Sequence, residues 1–394
     1  MKLLELPLDV FLTVIDVTVH ELGVRGSMRA RLVCRSFADA IPEALHRTRV
    51  IEYAYTSRLF LVSYRPEVIA RYLLYRIRAD RTNIHPWVQT NCQTVQTLAK
   101  HAGWAQDLQK VEMLYQASCS CLALYKGRGV FHALSVGAGD EMQYGGGTSA
   151  NCLTVAAWVG DMALIKSFNL ESNACSFFGR PLWAASAQGH LDVVKHFLNH
   201  NATENWLDTE RGPWPGIARS PLDVAAYMGR ESIVRLFLNP RYNNTTVQSW
   251  EGCAIHSAAI GGHANILTLL IHHYKEVKYP DDIVKTLHAS LIQSCRHGMH
   301  QTAQVLLQHG AKPIYTDVFP RTSLQWAAIT GNAALVKMLL DAGAELEPAT
   351  ERHFPSGKKM GNCRVWKDGL SEARDRGHKE VERLILERMA ELQK

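Results

Sequence analysis

Cys119-Ser120-Cys121 places two thiols within three residues, half of a tetrahedral metal site if a second cysteine or histidine pair follows at zinc spacing. None follows, so the pair reads as two buried thiols. Gly145-Gly146-Gly147-Thr148-Ser149 has the glycines and hydroxyls of a phosphate-cradling loop but not its lysine, and reads as a turn. His20-Glu21 lacks the second histidine that a zinc-protease helix carries. Asp281-Asp282 reads as a helix start, since acids favour helix N-termini. The chain has 18 histidines, but several have a structural place: His190, His263 and His378 each follow a recurring glycine. No spacing supports a nucleophile with its base, and no catalytic residue, cofactor or metal ligand is assigned.

That recurring glycine organises the chain. In Arg180-Pro-Leu-Trp-Ala-Ala-Ser-Ala-Gln-Gly-His190, Gly189 separates two good helix formers, at a cost of roughly 1 kcal/mol against alanine if the helix were continuous. Two short helices joined by a glycine turn remove that cost. The arrangement repeats around Gly160, Gly189, Gly229, Gly262, Gly298, Gly331 and Gly377. Seven residues before each stands Leu153, Leu182, Leu222, Ile255, Leu291, Leu324 or Leu370. Four before each stands Ala156, Ala185, Ala225, Ala258, Ser294, Ala327 or Ala373. Bulky pairs such as Phe197-Leu198, Phe237-Leu238, Leu306-Leu307 and Leu339-Leu340 follow. The intervals from Gly229 to Gly262 and from Gly298 to Gly331 are both 33 residues; those of 40 and 46 after Gly189 and Gly331 imply insertions.

This pattern resembles the ankyrin repeat, whose period is about 33 residues with T-P-L-H-x-A and then G-H. Ser220-Pro-Leu-Asp-Val-Ala-Ala226 is the best copy of the opening. Ser294-Cys295 in the fifth unit and Arg374 in the seventh depart from the usual small residues. The resemblance implies an all-α solenoid of about seven helix-turn-helix units over residues 147–394. Prolines open first helices, where their missing N–H is not needed. Second helices carry apolar residues at i, i+3 and i+4, as in Val193, Phe197, Leu198 and Ile233, Leu236, Phe237. Arg374, Asp375, Arg376, Lys379, Glu380, Glu382, Arg383, Glu387 and Arg388 give the last unit the polar outer face of a C-terminal cap.

Residues 1–50 do not fit the repeat. Leu6, Val10, Phe11, Val14 and Ile15 form a helical stripe opened by Pro7, and Leu32, Val33, Phe37 and Ile41 a second amphipathic segment. Leu6-Pro7-x-Asp9-Val10-Phe11 with Val14, Ile15 and, further on, Val33-Cys34-Arg35-x-Phe37 resembles an F-box. Departures are His20-Glu21-Leu22-Gly23 in the middle and Phe37 where tryptophan is conventional. An F-box implies binding of a Skp-type adaptor of a cullin ubiquitin ligase through Leu6, Pro7, Val10, Phe11, Val14, Ile15, Val33 and Phe37. The alternative is a helical shield over the open end of the repeats. Residues 51–146 are expected to be a helical N-terminal domain or linker, with helices over Val68–Ile77 and Gln93–Tyr115 and breaks at Gly127-Arg128-Gly129 and Gly145-Gly146-Gly147.

Composition bounds the function. The chain has 394 residues, 47% hydrophobic and 20% charged, which is ordinary globular material with room for two or three domains. A net charge of +6, dispersed, gives no reason to expect direct nucleic-acid binding. Nine scattered cysteines suit a reducing compartment. No apolar run approaches the roughly 18 residues of a membrane span. Glu5, Asp9 and Asp16 argue against a secretory signal. The expectation is cytoplasm or nucleus, with no membrane partner.

In ankyrin proteins the two residues before the turn glycine line a concave groove, flanked by loop fingers. The resemblance therefore assigns partner contact to Trp158, Val159, Tyr227, Met228, Ile260, Arg296, His297, Ile329, Asp375 and Arg376, with Trp206, Arg211, Trp214, Tyr242, Trp250 and Trp366 on the fingers. Aromatic residues and arginine are enriched in binding hot spots. The competing expectation is that some of these pack inside the fold. The expected function is non-catalytic recognition of a protein partner, with the F-box reading making the chain a substrate-selecting adaptor of ubiquitination. The alternative is a regulatory scaffold or transcription co-regulator, in the style of ankyrin proteins of filamentous fungi, some in secondary-metabolism gene clusters. An enzyme is the remaining class.

Overall fold

A computed structural model describes residues 6–54, 66–79, 85–127, 129–136, 147–168, 176–200, 220–239, 241, 254–277, 280–315, 321–346 and 368–393. Their regular structure is helical, apart from isolated bridge residues such as the pair Ser176 and Gly179. The chain divides into two compact units, one built on residues 1–184 and the other on residues from 185 onward.

The first unit holds α1 (Leu8–Ala30), α2 (Arg35–Arg47), α3 (Val50–Ala54), α4 (Pro66–Ala79), α5 (Pro86–His101), α6 (Leu108–Lys126), α7 (Gly129–Val136), α8 (Thr148–Val159) and α9 (Met162–Ser167). Helix α1 is two helical stretches, because Gly23 leaves helical geometry at φ 61° and ψ −178°. Its inward face repeats every four residues: Phe11, Ile15 and Val19 are buried. Phe11 meets Phe37 of α2 edge to face at 6.0 Å. Arg47 grips Asp16 with two hydrogen bonds of 2.8 and 2.6 Å, tying α2 to α1. Glu52 of α3 is buried, and its carboxylate accepts from the Tyr72 hydroxyl and the Arg76 guanidinium of α4.

Two sequence expectations need correction here. The segment around Leu32 and Val33 is not helix; Cys34 is extended at φ −162° and α2 begins at Arg35. The expected helix over 93–115 is two helices. Gly103 turns at φ 70°, and the Asp107 side chain caps α6 by accepting from the backbone N–H groups of Gln109 and Lys110. Cys119 and Cys121 are buried in α6 as expected. Burial pushes both thiols up, Cys119 to about 12, so neither is a nucleophile near neutral pH. Helix α8, the first helix of the first glycine-centred unit, packs on α5 and α6 within this N-terminal unit.

Helix α10 (Pro181–Gln188) contains the division between the units. Then follow α11 (Leu191–His200), α12 (Pro221–Tyr227), α13 (Glu231–Phe237), α14 (Ala254–Gly261), α15 (Ala264–Val277), α16 (Pro280–Arg296), α17 (His300–Gln308), α18 (Ser323–Thr330), α19 (Ala333–Asp341), α20 (Gly369–Arg376) and α21 (Lys379–Leu392). First helices stack in one row, α12 on α14, α16, α18 and α20 in turn; α15, α17, α19 and α21 form a second row behind them. The residues four before each glycine, Ala225, Ala258, Ser294, Ala327 and Ala373, are completely buried, which lets neighbouring first helices approach closely. The Ser294 hydroxyl that replaces alanine in the fifth unit is satisfied: it donates to the Ala259 carbonyl at 3.5 Å and lies 3.2 Å from Thr302 Oγ1 of α17, which donates to the same carbonyl at 3.0 Å. Arg374 is exposed on α20 and donates to Glu382 of α21 at 2.7 Å. Along α13 the buried residues are Ile233, Val234 and Phe237, so Val234 rather than Leu236 completes the inward stripe.

Each turn glycine has positive φ, from 71° at Gly298 to 94° at Gly189. The side chain following the glycine of one unit then reaches back over the turn of the preceding unit. Arg230 Nε donates to the Ala187 carbonyl at 3.0 Å. His263 Nε2 lies 3.0 Å from the Tyr227 carbonyl, and His378 Nε2 3.3 Å from that of Ile329. A carbonyl only accepts, so Nε2 carries the proton in both. Gly229 thus has two reasons to be glycine: its φ of 75°, and an imidazole that an added Cβ would meet at 2.5 Å from Cε1 of His263. Gly298 has only the first, since nothing lies within 4 Å of its added Cβ. We expect Gly298→Ala to cost about 1 kcal/mol and Gly229→Ala about 2–3 kcal/mol in urea unfolding. Equal costs would mean that the His263 contact adds nothing.

Buried histidines make the repeats acid-sensitive. Burial lowers His256 and His297 to about 4, with Arg296 adding to the effect on His297. His263 is lowered by burial against the raising effect of its bond to the Tyr227 carbonyl. His288 is lowered by burial, and its Nδ1 accepts from the Lys312 N–H at 2.9 Å. With folded pKa values below the unfolded value, the unfolded chain binds more protons between about pH 6.5 and 4. Stability is therefore fully present above about pH 6.5 and falls as pH drops through that window, by on the order of 2–3 kcal/mol for each of His256 and His297. Thermal unfolding at stepped pH checks this; His297→Gln should flatten the decline.

Candidate partner-binding surface

In the second unit the first helices end side by side, at Tyr227-Met228, Ile260-Gly261, Arg296-His297, Ile329-Thr330 and Asp375-Arg376. Within each first helix, the residue five before the turn glycine lies one turn from the residue two before it, and so on the same face. That register adds Gln293, Trp326 and Glu372 to Arg296, Ile329 and Asp375.

The structure brings part of this set together. Arg296 of α16 is held over the Trp326 ring of α18, 5.0 Å from its centroid. Arg321, two residues before the start of α18, is held over the same ring at 4.8 Å. Arg321 Nη2 also meets Glu372 of α20 at 3.2 Å, and Glu372, itself buried, accepts from Arg376 one turn further along. The chain Arg296–Trp326–Arg321–Glu372–Arg376 thus spans three consecutive units. Thr322 positions Arg321 by capping α18: its hydroxyl accepts from the Gln325 N–H at 3.2 Å, while the Gln325 side chain accepts from the Thr322 N–H at 2.7 Å.

The remaining expected residues divide by burial. Tyr227, Met228 and Ile329 are half-buried at the ends of their helices. Trp158 and Ile260 are not groove-exposed: they are 7% and 8% exposed. Trp158 lies in the N-terminal unit, stacked with Trp183 at 6.3 Å, and Trp183 meets Tyr125 edge to face at 5.2 Å. An indole enclosed by aromatic neighbours contributes to packing rather than to a partner. Trp206, Trp214, Trp250 and Trp366, with Arg211 and Tyr242, lie outside the described residues. Sequence reasoning missed Trp326, Arg321 and Glu372. It used the two positions before the glycine and passed over the fifth, where Trp326 and Glu372 stand in successive units.

At the N-terminus the F-box-like residues split in two. Phe11 and Ile15 are buried and Phe37 half-buried, because they hold α1 against α2, and are not available to an adaptor. Leu6 and Val14 are half-buried, and Pro7 and Val10 exposed. Val33 is 69% exposed, beside Leu32 at 87% in the turn and with Leu8 at 71% on α1. No helix among the described residues is long and apolar enough to cross a membrane.

Comparison with known proteins agrees with this geometry. The family model for ankyrin repeats matches in three overlapping copies, over residues 182–281, 222–317 and 255–350. The ankyrin repeat domain-containing protein SAT10 of Stachybotrys chartarum is 29% identical over 170 residues, which are 42% of this chain and 8% of that protein. The chain thus spans a small fraction of that relative's length. The putative ankyrin repeat protein YahD of Escherichia coli is 24% identical over 197 residues, 48% of this chain and 94% of that protein. Among solved structures, the human ASB11 ankyrin repeat domain has a TM-score of 0.42 at 20% identity, over 60% of this chain and 96% of that one. The Bcl-3 ankyrin repeat domain has a TM-score of 0.39 at 20% identity, over 53% and 85%. The glycine turns, the buried alanines and the paired helical rows agree with the match of residues 182–350 to the family model for ankyrin repeats.

Proposed function

We propose that this chain is a non-catalytic recognition protein that holds a partner protein on the row of first-helix ends from Tyr227 to Arg376. The observation that carries the reading is the set of half-buried side chains at the ends of first helices, Tyr227, Met228, Arg296 and Ile329, with Arg296 held over the buried Trp326 ring. Such residues supply hot-spot energy when a partner excludes water from them. The histidines and thiols that could suggest catalysis are spent otherwise: His263 and His378 bridge units, and Cys119, Cys121, Cys152 and Cys295 are buried with raised pKa values.

The N-terminus supports a finer reading, a substrate-selecting adaptor of ubiquitination. Leu8 and Val10 at the start of α1 and Leu32 and Val33 in the turn before α2 are exposed apolar residues. Exposed apolar residues in such number are what an interaction site would use. A Skp-type adaptor would take this group, with Phe11, Ile15 and Phe37 supporting it from behind. A regulatory scaffold, such as a transcription co-regulator, would use the repeat surface alone.

Two measurements test the two halves. Val10→Asp with Val33→Asp should weaken binding of the purified Skp-type adaptor by at least about tenfold and leave unfolding within about 0.5 kcal/mol, since both side chains are exposed. No binding by the unmodified chain at tens of micromolar would make α1 and α2 an end cap and favour the scaffold. Tyr227→Ala with Met228→Ala should cut capture of the repeat partner by about tenfold or more at a stability cost of about 1–2 kcal/mol. A much larger cost with capture retained would assign both side chains to the core.

A further inference from the structure

We propose that the helical pair α20–α21 detaches from the stack as one body while the helices before it stay folded, and that Glu372, clamped between Arg321 and Arg376, is the latch that sets how often it does so. The inference is independent of the recognition reading and meets it at one point. Opening carries Asp375 and Arg376 away from the row of first-helix ends.

Stacked helical pairs are held by what each buries against its neighbour. On α18 and α19 the large apolar side chains buried are Leu324, Trp326, Leu335, Val336, Leu339 and Leu340. On α20 and α21 they are Val381 and Ile385, and α20 itself buries Gly369, Glu372 and Ala373. Gly369 lies against α18: a Cβ added there would meet Leu324 Cγ at 3.7 Å and Ala328 Cβ at 3.8 Å. Three polar links also cross to the preceding pair. Arg321 Nη2 donates to Glu372 at 3.2 Å, and His378 Nε2 donates to the Ile329 carbonyl at 3.3 Å. Arg388 Nη2 donates to the Leu340 carbonyl at 3.3 Å. A segment with little buried apolar area and a polar attachment belongs to the low-stability end of a structure.

Among the three links, Glu372 is the one that burial makes consequential. Its carboxylate is buried between two guanidinium groups that belong to different bodies. Arg376 is on α20 and stays with Glu372 when the pair opens. Arg321 belongs to the preceding pair, held over the buried Trp326 ring at 4.8 Å. Opening breaks the Arg321 bond and returns the carboxylate to water. A partial opening leaves the carboxylate buried with one partner lost, which is the costly case for a buried charge. The contact therefore favours all-or-none release over fraying. Ile385 of α21 packs against Gly369 of α20, with its Cδ1 3.7 Å from an added Cβ, so the two helices leave together.

The test is native-state hydrogen exchange of the full chain, read by mass spectrometry of its peptides. In the unmodified chain the amides of α20 and α21 should exchange together, at least about tenfold faster than those of α14 and α18. Mild denaturant should speed them less than it speeds α14, because a local opening exposes less surface than global unfolding. Arg321→Gln should speed α20 and α21 by a further tenfold or so and leave α14 within about twofold; Arg321→Lys should recover part of the protection. Arg374→Gln, whose pair with Glu382 is at the surface, should change exchange less than about twofold. Equal rates for α14, α18, α20 and α21 in the unmodified chain would overturn the detachable pair, without recourse to any variant. An Arg321→Gln variant that speeds every helix alike, or leaves α20 and α21 unchanged, would overturn the latch.

Discussion

The repeat unit depends on one constraint: the chain must reverse between two helices in a turn so tight that the residue at its corner takes positive φ, and the neighbouring unit must then close over that corner. Glycine meets the first demand. The second is met by the side chain that follows the next glycine, which lies across the turn and donates to a backbone carbonyl that the reversal leaves without a helical partner. Arg230, His263 and His378 do this with different chemistry and the same geometry. Met299 covers Gly262 without a hydrogen bond; its sulfur would lie 2.9 Å from an added Cβ. Each unit is thus finished by its successor, which is why such units are stable only in stacks.

This dependence explains how the sequence is allowed to vary. Between units the buried contacts demand small first-helix residues, or hydroxyls with an acceptor in reach, as Ser294 and Thr302 have in the Ala259 carbonyl. On α20 and α21 Arg374 pairs with Glu382 and Arg383 with Glu387 at the surface. Such exposed pairs add little stability. Within the first helices some aromatic and cationic side chains pack on one another, as Trp326 does beneath Arg296 and Arg321.

The N-terminal unit follows different rules. Its helices have no common period, and its interior accepts a buried ionic group, Glu52 with Tyr72 and Arg76, that ties α3 to α4. A buried carboxylate is tolerable only where hydrogen bonds replace the water it has lost. Here a hydroxyl and a guanidinium do so.

Much of this was legible in the amino-acid order because its causes are local. The seven glycines, the leucines seven residues before them, the alanines four before and the helix-opening prolines mark the units, since turn geometry and close packing act within a few residues. Helix boundaries were missed at Cys34, which no cap announced, and at Gly103, although that glycine and the Asp107 cap were local signals. The burial of Trp158 against Trp183 and of Phe11 against Phe37 was not written in any local pattern, because it depends on which helices meet. The assembly of Arg296, Trp326, Arg321 and Glu372 was equally invisible. These residues come from three units, and what joins them is the stacking register that puts successive first helices side by side. The sequence by itself determined that the chain is built of glycine-turned helical pairs. Only the tertiary structure decided which of their side chains became core and which remained to meet a partner, because burial belongs to pairs of surfaces and not to residues.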